Sequence, residues 1–314
     1  MSWRTALNRA WQWFDYRVIL PGLARLPLPV GAQLAQWRGL FNGWLDLDWR
    51  SLSLQQRFVY DATYAAQQQL CPQATPQQWR CQTLQRFVVN SREEWEASLF
   101  LRYPVERFKA SSTVYGLQEW LDAQKAGQPL VLLTPHFDSF CMGIVLLGLH
   151  GLKVHAVSSA VVEDPRVHPA VRRFYWQKYR GMERYMNGGL IRHQEQDNRH
   201  FYRALQQGEA VVILADLPTP NQQSLVVPFL GQLRCMASGP LRVAQKTHSL
   251  VGAFVCLHER TGQYRLMCTP LRSLDTESPA RSFVPLYAFL DAYLHRYPAR
   301  WWAADTLRAY HNAT

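Results

Sequence analysis

The chain has 314 residues, 48% of them hydrophobic and 18% charged, a balance that excludes a disordered polymer and suits one large α/β domain or two small ones. Its formal net charge is +11, and 29 of its 34 basic residues are Arg, which predicts an anionic partner: nucleic acid, an acidic membrane surface or a phosphorylated substrate. The six cysteines (Cys71, Cys81, Cys141, Cys235, Cys256 and Cys268) show no CxxC pair and no zinc-ligand spacing, which fits a reducing compartment and predicts no metal site.

The opening stretch, residues 1–44, alternates Trp, Leu, Phe and Ile with Arg4, Arg9, Arg17, Arg25 and Arg38. Its apolar segments are broken by Arg and Pro, so neither a signal peptide nor a membrane span is expected. The pattern equally suits a helix lying in a membrane interface and a helix packed on the body of the protein. Helical periodicity runs over 54–70 and 76–100, with "CPQATP" as the break. "TVYGLQEWLDAQKAG" reads as a further helix stopped at Gly127.

From there strands alternate with helices. "PLVLLT" is a buried strand, "SFCMGIVLLGLHG" an apolar helix, "KVHAVSS" a strand and "HPAVRRFYWQKYRG" a helix with a basic face. "ERYMN" reads as a third short strand before the helix "QDNRHFYRALQQG". "AVVILAD" and "SLVVPFLG" are strands, "GPLRVAQKTH" is helical, and "LVGAFVCLH" and "YRLMCTPL" form a hairpin around "ERTGQ". "VPLYAFLDAYLHRYP" is a final helix. The expected fold is α/β: a mostly parallel central sheet flanked by helices (126–314) with a helical, membrane-facing N-terminal portion (1–125), in one continuous domain.

Ligands of open α/β sheets bind outside the carboxyl ends of the strands, and two chemically capable residues, His136 and Asp216, follow such ends. An imidazole there can take a proton from a hydroxyl or amine attacking a carbonyl, given a carboxylate to fix its tautomer. Cys141, five residues on, is the rival nucleophile, but it lies in an apolar helix where a thiol stays protonated. A metal nest of His136, Asp138 and His150 or His155 has no recognised spacing. The basic run holding Arg172, Arg173, Lys178 and Arg180 is either a solvated helix face or a binder of acidic groups. No Walker loop, GxGxxG or nucleic-acid module is present, so nucleic acid is not an expected partner.

Three blocks in order carry a resemblance: the apolar strand leading to His136, "AVVILADLPTPNQQSLVVPFLG", and the tail "YPARWWAADTLRAY". Together they resemble the late (lauroyl/myristoyl-type) lipid A acyltransferases of the lysophospholipid acyltransferase superfamily, from about 85 to 310. The resemblance implies a peripheral enzyme on the cytoplasmic face of the bacterial inner membrane. It would move an acyl chain from acyl carrier protein or a coenzyme A thioester to a hydroxyl (or amine) of a lipid-linked acceptor, with no cofactor. It casts His136 as general base, but the Asp or Glu that should follow after four residues is Cys141. Either the nearest carboxylate, Asp138, takes the partner role through a different backbone turn, or His136 acts without one; Asp138 is the provisional partner. The family's helix Arg falls on Arg173 beside Arg172, its strand-end Asp on Asp216, and its "F-F-G" turn on Phe229 and Gly231, all read as substrate-binding. Arg308 matches the tail Arg loosely. The rivals are a degenerate relative that binds a glycolipid or carrier protein without chemistry, and a thiol-dependent transferase using Cys141.

Overall fold

Leu and Trp interleaved with Arg wind the first stretch into helices in the computed structural model, which describes residues 3–218 and 224–310. α1 (Trp3–Phe14) passes through one π-helical turn into the short α2 (Leu20–Leu23), followed by α3 (Leu28–Leu45), α4 (Trp49–Leu54) and α5 (Val59–Leu70). The expected helix over 54–70 starts only at Val59, because Gln55 adopts a left-handed conformation (φ 55) and breaks it from α4. α6 (Pro76–Leu99) opens on a capping box in which Thr75 and Gln78 each accept a backbone N–H of the other. α3 lies directly on α6: a Cβ at Gly39 would stand 2.6 Å from Val88 Cα, so only glycine permits this approach. Beside it Arg38 is buried between Asp15 (2.5 Å) and Glu94 (2.8 Å), which anchors the N-terminal helices to α6.

α7 (Arg107–Ser111) precedes β1 (Thr113–Tyr115). This short strand lies within a stretch expected to be wholly helical, because Gly116 (φ 76) turns the chain before α8 (Leu117–Lys125) begins. The elements then alternate: β2 (Leu130–Thr134), α9 (Phe140–Leu149), β3 (Val154–Ser158), α10 (Pro169–Glu183), β4 (Ile191–His193), α11 (Gln194–Gln206) and β5 (Ala210–Leu214). "ERYMN" is not a strand. It is the turn after α10, reversed through left-handed Asn187 (φ 53) and Gly188 (φ 85), and the strand is "IRH" beyond it. β6 (Ser224–Phe229) and β7 (Gln232–Ala237) form a separate hairpin, followed by α12 (Gly239–Thr247), β8 (Leu250–Arg260), β9 (Gln263–Cys268) and α13 (Val284–Arg296).

The main sheet has seven strands in the order β1-β9-β8-β2-β5-β3-β4, parallel throughout except for the β8–β9 hairpin. A mixed α/β fold with a mostly parallel sheet is therefore observed. Strand alternation divides the core. Leu130 and Leu132 face α9 and α10, whereas Val131 and Leu133 face α11, α12 and α13. Among the described residues no helix is long and apolar enough to cross a membrane.

Candidate functional site

β2 and β5 are parallel neighbours in the register Thr134↔Leu214, so the residues two beyond each end, His136 and Asp216, emerge side by side. Asp216 Oδ1 lies 2.8 Å from His136 Nδ1, and its Oδ2 accepts the His136 backbone N–H at 2.7 Å. In a neutral imidazole, a carboxylate at Nδ1 holds the ring proton on that nitrogen and makes Nε2 the acceptor. No hydrogen bond to Nε2 forms among the described residues.

The chain after α13 straps this pair down. Trp301 Nε1 donates to Asp216 Oδ2 at 2.7 Å, and Trp302 N donates to the His136 carbonyl at 3.1 Å. Tyr310 OH donates to the Asp216 carbonyl at 2.5 Å. The Trp302 ring meets the His136 ring edge-on at 4.5 Å, with Phe140 at 5.3 Å on the same imidazole. Neither tryptophan stood out as a site residue in the sequence. The "WW" pair inside the tail block was the available signal.

His136 opens into a cavity of about 220 Å³ between the sheet and α10. Phe140, Cys141 and Ile144 of α9, Tyr175, Lys178, Tyr179 and Met182 of α10, and the ends of β3 and β5 form its walls, with Trp49 and Trp302 beside them. Such a cavity, apolar along most of its length and bordered by one imidazole, suits a hydrocarbon chain whose reacting carbon lies at the histidine.

Asp138 is not the histidine's partner. It is fully buried, and its carboxylate engages Arg92, Arg300 Nη1 (2.7 Å) and the backbone N–H of His258 (3.2 Å). The left-handed backbone at Asp138 (φ 49) turns its side chain into this arginine cluster. Glu96 belongs to the same buried cluster, and burial pushes its carboxyl up to about 7 despite the neighbouring Arg92.

Asp216 is not a substrate-binding residue by its contacts: it is fully buried and its carboxylate accepts only protein donors. Phe229 is buried against Tyr287 and Tyr310, behind the pair rather than at the cavity. Gly231 (φ 74) and Leu230 (φ 54) are the two turn residues of the β6–β7 hairpin, a type I′ geometry that explains the glycine. The spacer 219–223 of the same block lies outside the described residues.

Arg173 is exposed and Arg172 half-buried on α10, and neither lines the cavity. The basic residue of that helix that does line it is Lys178, paired with Glu93 at 2.5 Å. Its position was legible, because Val171, Phe174, Lys178 and Met182 share one helical face. Burial raises the Cys141 thiol well above its ordinary pKa, and Glu93 adds to this against the opposing Lys178, so Cys141 remains a protonated wall residue. Among the described residues no group of three or more His, Cys, Asp or Glu is arranged to hold a metal ion.

Comparison with known families finds a match to a family described as bacterial lipid A biosynthesis acyltransferase, over residues 74–303. No curated protein matches the chain.

Proposed function

Because the chain belongs to the bacterial lipid A biosynthesis acyltransferase family and is an acyltransferase, we propose that His136 is its general base, acting with Asp216, and that the acceptor is a hydroxyl of a lipid-linked saccharide. The observation that carries this reading is the buried carboxylate on Nδ1 with Nε2 open to an apolar cavity. The hydroxyl proton passes to Nε2 as the oxygen attacks the carbonyl of an acyl thioester on acyl carrier protein or coenzyme A. The tetrahedral intermediate then collapses. The new ester C–O bond remains, the C–S bond breaks, and the thiolate recovers the proton from the imidazolium, whose charge Asp216 offsets. The test is incubation of the purified protein with acyl thioester and a lipid extract. A lipid gaining one acyl chain with release of thiol supports the reading, whereas no acylated lipid and no thiol release favours a binder without chemistry.

A thiol intermediate is disfavoured by the protonated state of Cys141. Cys141→Ser is expected to keep at least about a tenth of the rate, whereas loss of a covalent nucleophile costs several orders of magnitude. An acyl thioester found on Cys141 by intact-mass measurement would reverse this assignment.

We also propose that the protein works at an anionic membrane surface on the cytoplasmic side. α1 and α3 approach each other through Trp11 and Phe41, whose ring centroids are 5.6 Å apart, and both leave large apolar side chains uncovered. Trp3 is 72% exposed, Trp37 65% and Trp44 70%. Arg4, Arg9 and Arg17 belong to the same segment, and each basic residue close to an anionic surface adds about 1 kcal/mol. Trp37→Glu with Trp44→Glu is expected to weaken sedimentation with anionic vesicles by about tenfold or more, and high salt to reverse wild-type binding only in part. Wild-type protein that remains in the supernatant at low salt would refute the surface. Substitution suits this test better than deletion, since removing residues 1–50 would uncover the face of α6 against which Arg38 and Gly39 pack.

A further inference from the structure

The cavity wall carries a polar seam that the transfer chemistry leaves unused. Lys178 has a side chain only 5% exposed and pairs with Glu93 Oε1 at 2.5 Å. Its ammonium lies 5.6 Å from the Phe140 ring centroid and 5.5 Å from that of Tyr175. Two phenols complete the seam. Tyr175 OH accepts from Trp49 Nε1 at 3.1 Å, and Tyr179 OH accepts from Ser158 Oγ at 3.0 Å. Each phenol is thus an acceptor within the protein, and its own O–H finds no acceptor among the described residues. Burial raises both phenols above their ordinary pKa, so both keep that proton.

Donors therefore exceed acceptors on one stretch of an otherwise apolar wall. A buried donor left without an acceptor costs about 1–3 kcal/mol, which a ligand oxygen would recover. Charge narrows the kind of oxygen. Lys178 and Glu93 offset one another, so an added anion would be uncompensated in a dry cavity while a neutral oxygen fits. Position narrows its place on the ligand. Phe140 touches both the His136 ring, at 5.3 Å, and the Lys178 ammonium, so the seam lies close to the reacting end of a bound chain. Cys141 stands beside this pair. A carboxylate there would place a second negative charge on one ammonium, and the thiol leaves the pair neutral.

We infer that Lys178, Tyr175 and Tyr179 form a specificity subsite for a neutral oxygen: a hydroxyl carried near the thioester end of the acyl chain. The identity of the chain rests on the acyl-transfer reading, while the subsite itself rests on the donors. The probes are the decanoyl and β-hydroxydecanoyl thioesters of N-acetylcysteamine, whose binding is measured by calorimetry in the His136→Ala protein so that no turnover intervenes. The hydroxylated thioester is expected to bind about tenfold tighter. Tyr175→Phe with Tyr179→Phe, which keeps the wall's volume and the Lys178–Glu93 pair, should bring the two affinities to within about twofold. Equal affinities in the parent protein, no binding of either probe, or a preference that survives in the phenylalanine variant overturns the subsite. A preference in binding without any acyl transfer by the wild-type protein would leave the subsite standing and refute the acyl-transfer reading instead.

Discussion

Acyl transfer is expected to fall by about 10²–10⁴-fold in His136→Ala, the contribution of a positioned general base, while the protein keeps its fold. The fold should survive because His136 is not a strand residue and the backbone bonds around it persist: its N–H still reaches Asp216, and its carbonyl still accepts from Trp302. Alanine removes the edge-on contacts with Trp302 and Phe140, so some thermal stability is lost. Initial rates of thiol release at saturating thioester, read beside circular dichroism melts, separate the two effects. More than about half the wild-type rate in a folded variant would remove His136 from the mechanism.

Asp216→Asn should cost about as much activity, through a different physical cause. The carboxylate serves three donors, the His136 ring N–H at Oδ1 and the His136 backbone N–H and Trp301 indole N–H at Oδ2. An amide offers one oxygen and one NH₂. If the oxygen keeps the two donors on the Oδ2 side, the NH₂ faces Nδ1 and drives the proton to Nε2, where the imidazole can no longer accept the acceptor's proton. If the amide turns round, its NH₂ opposes both the backbone N–H and the indole. The first arrangement predicts a loss of about 10²–10⁴-fold at modest stability cost. The second adds about 1–3 kcal/mol of destabilisation for each donor left buried and unpaired. Rates and melting temperatures of Asp216→Asn and Trp301→Phe, measured together, tell which occurs. An Asp216→Asn protein within tenfold of wild-type activity would show that the carboxylate does not govern the histidine.

The partner of His136 shows what one-dimensional reading can reach. Both strand ends were legible, since "PLVLLT" and "AVVILAD" are short apolar runs that close on a polar residue. That they are neighbours in equal register was not, because strand order is set by how helices cover the sheet and leaves no mark in either run. Proximity along the chain then favoured Asp138, two residues from His136, over Asp216, whose approach depends on the β2–β5 pairing. The short strands β1, β4 and β7 escaped for a related reason. Three residues are too few for an alternation to register, and β7 carries Arg234 and Cys235 in place of a clean apolar period. On α10 the family resemblance singles out Arg173 and its neighbour Arg172, although helical spacing sets Lys178 apart as the charge on the buried face.

The strap formed by Trp301, Trp302 and Tyr310 has a consequence for the timing of biosynthesis. His136 leaves the ribosome long before the residues that hold Asp216 and the imidazole in place. At about 5–20 residues per second, the interval up to Tyr310 is on the order of ten seconds or more. Through that interval the nascent chain can pair β2 with β5 and bring Asp216 to His136, yet the imidazole lacks the Trp302 ring at its edge and the carboxylate lacks the Trp301 N–H. The strap closes late, when residues 301–310 pack over a scaffold already formed.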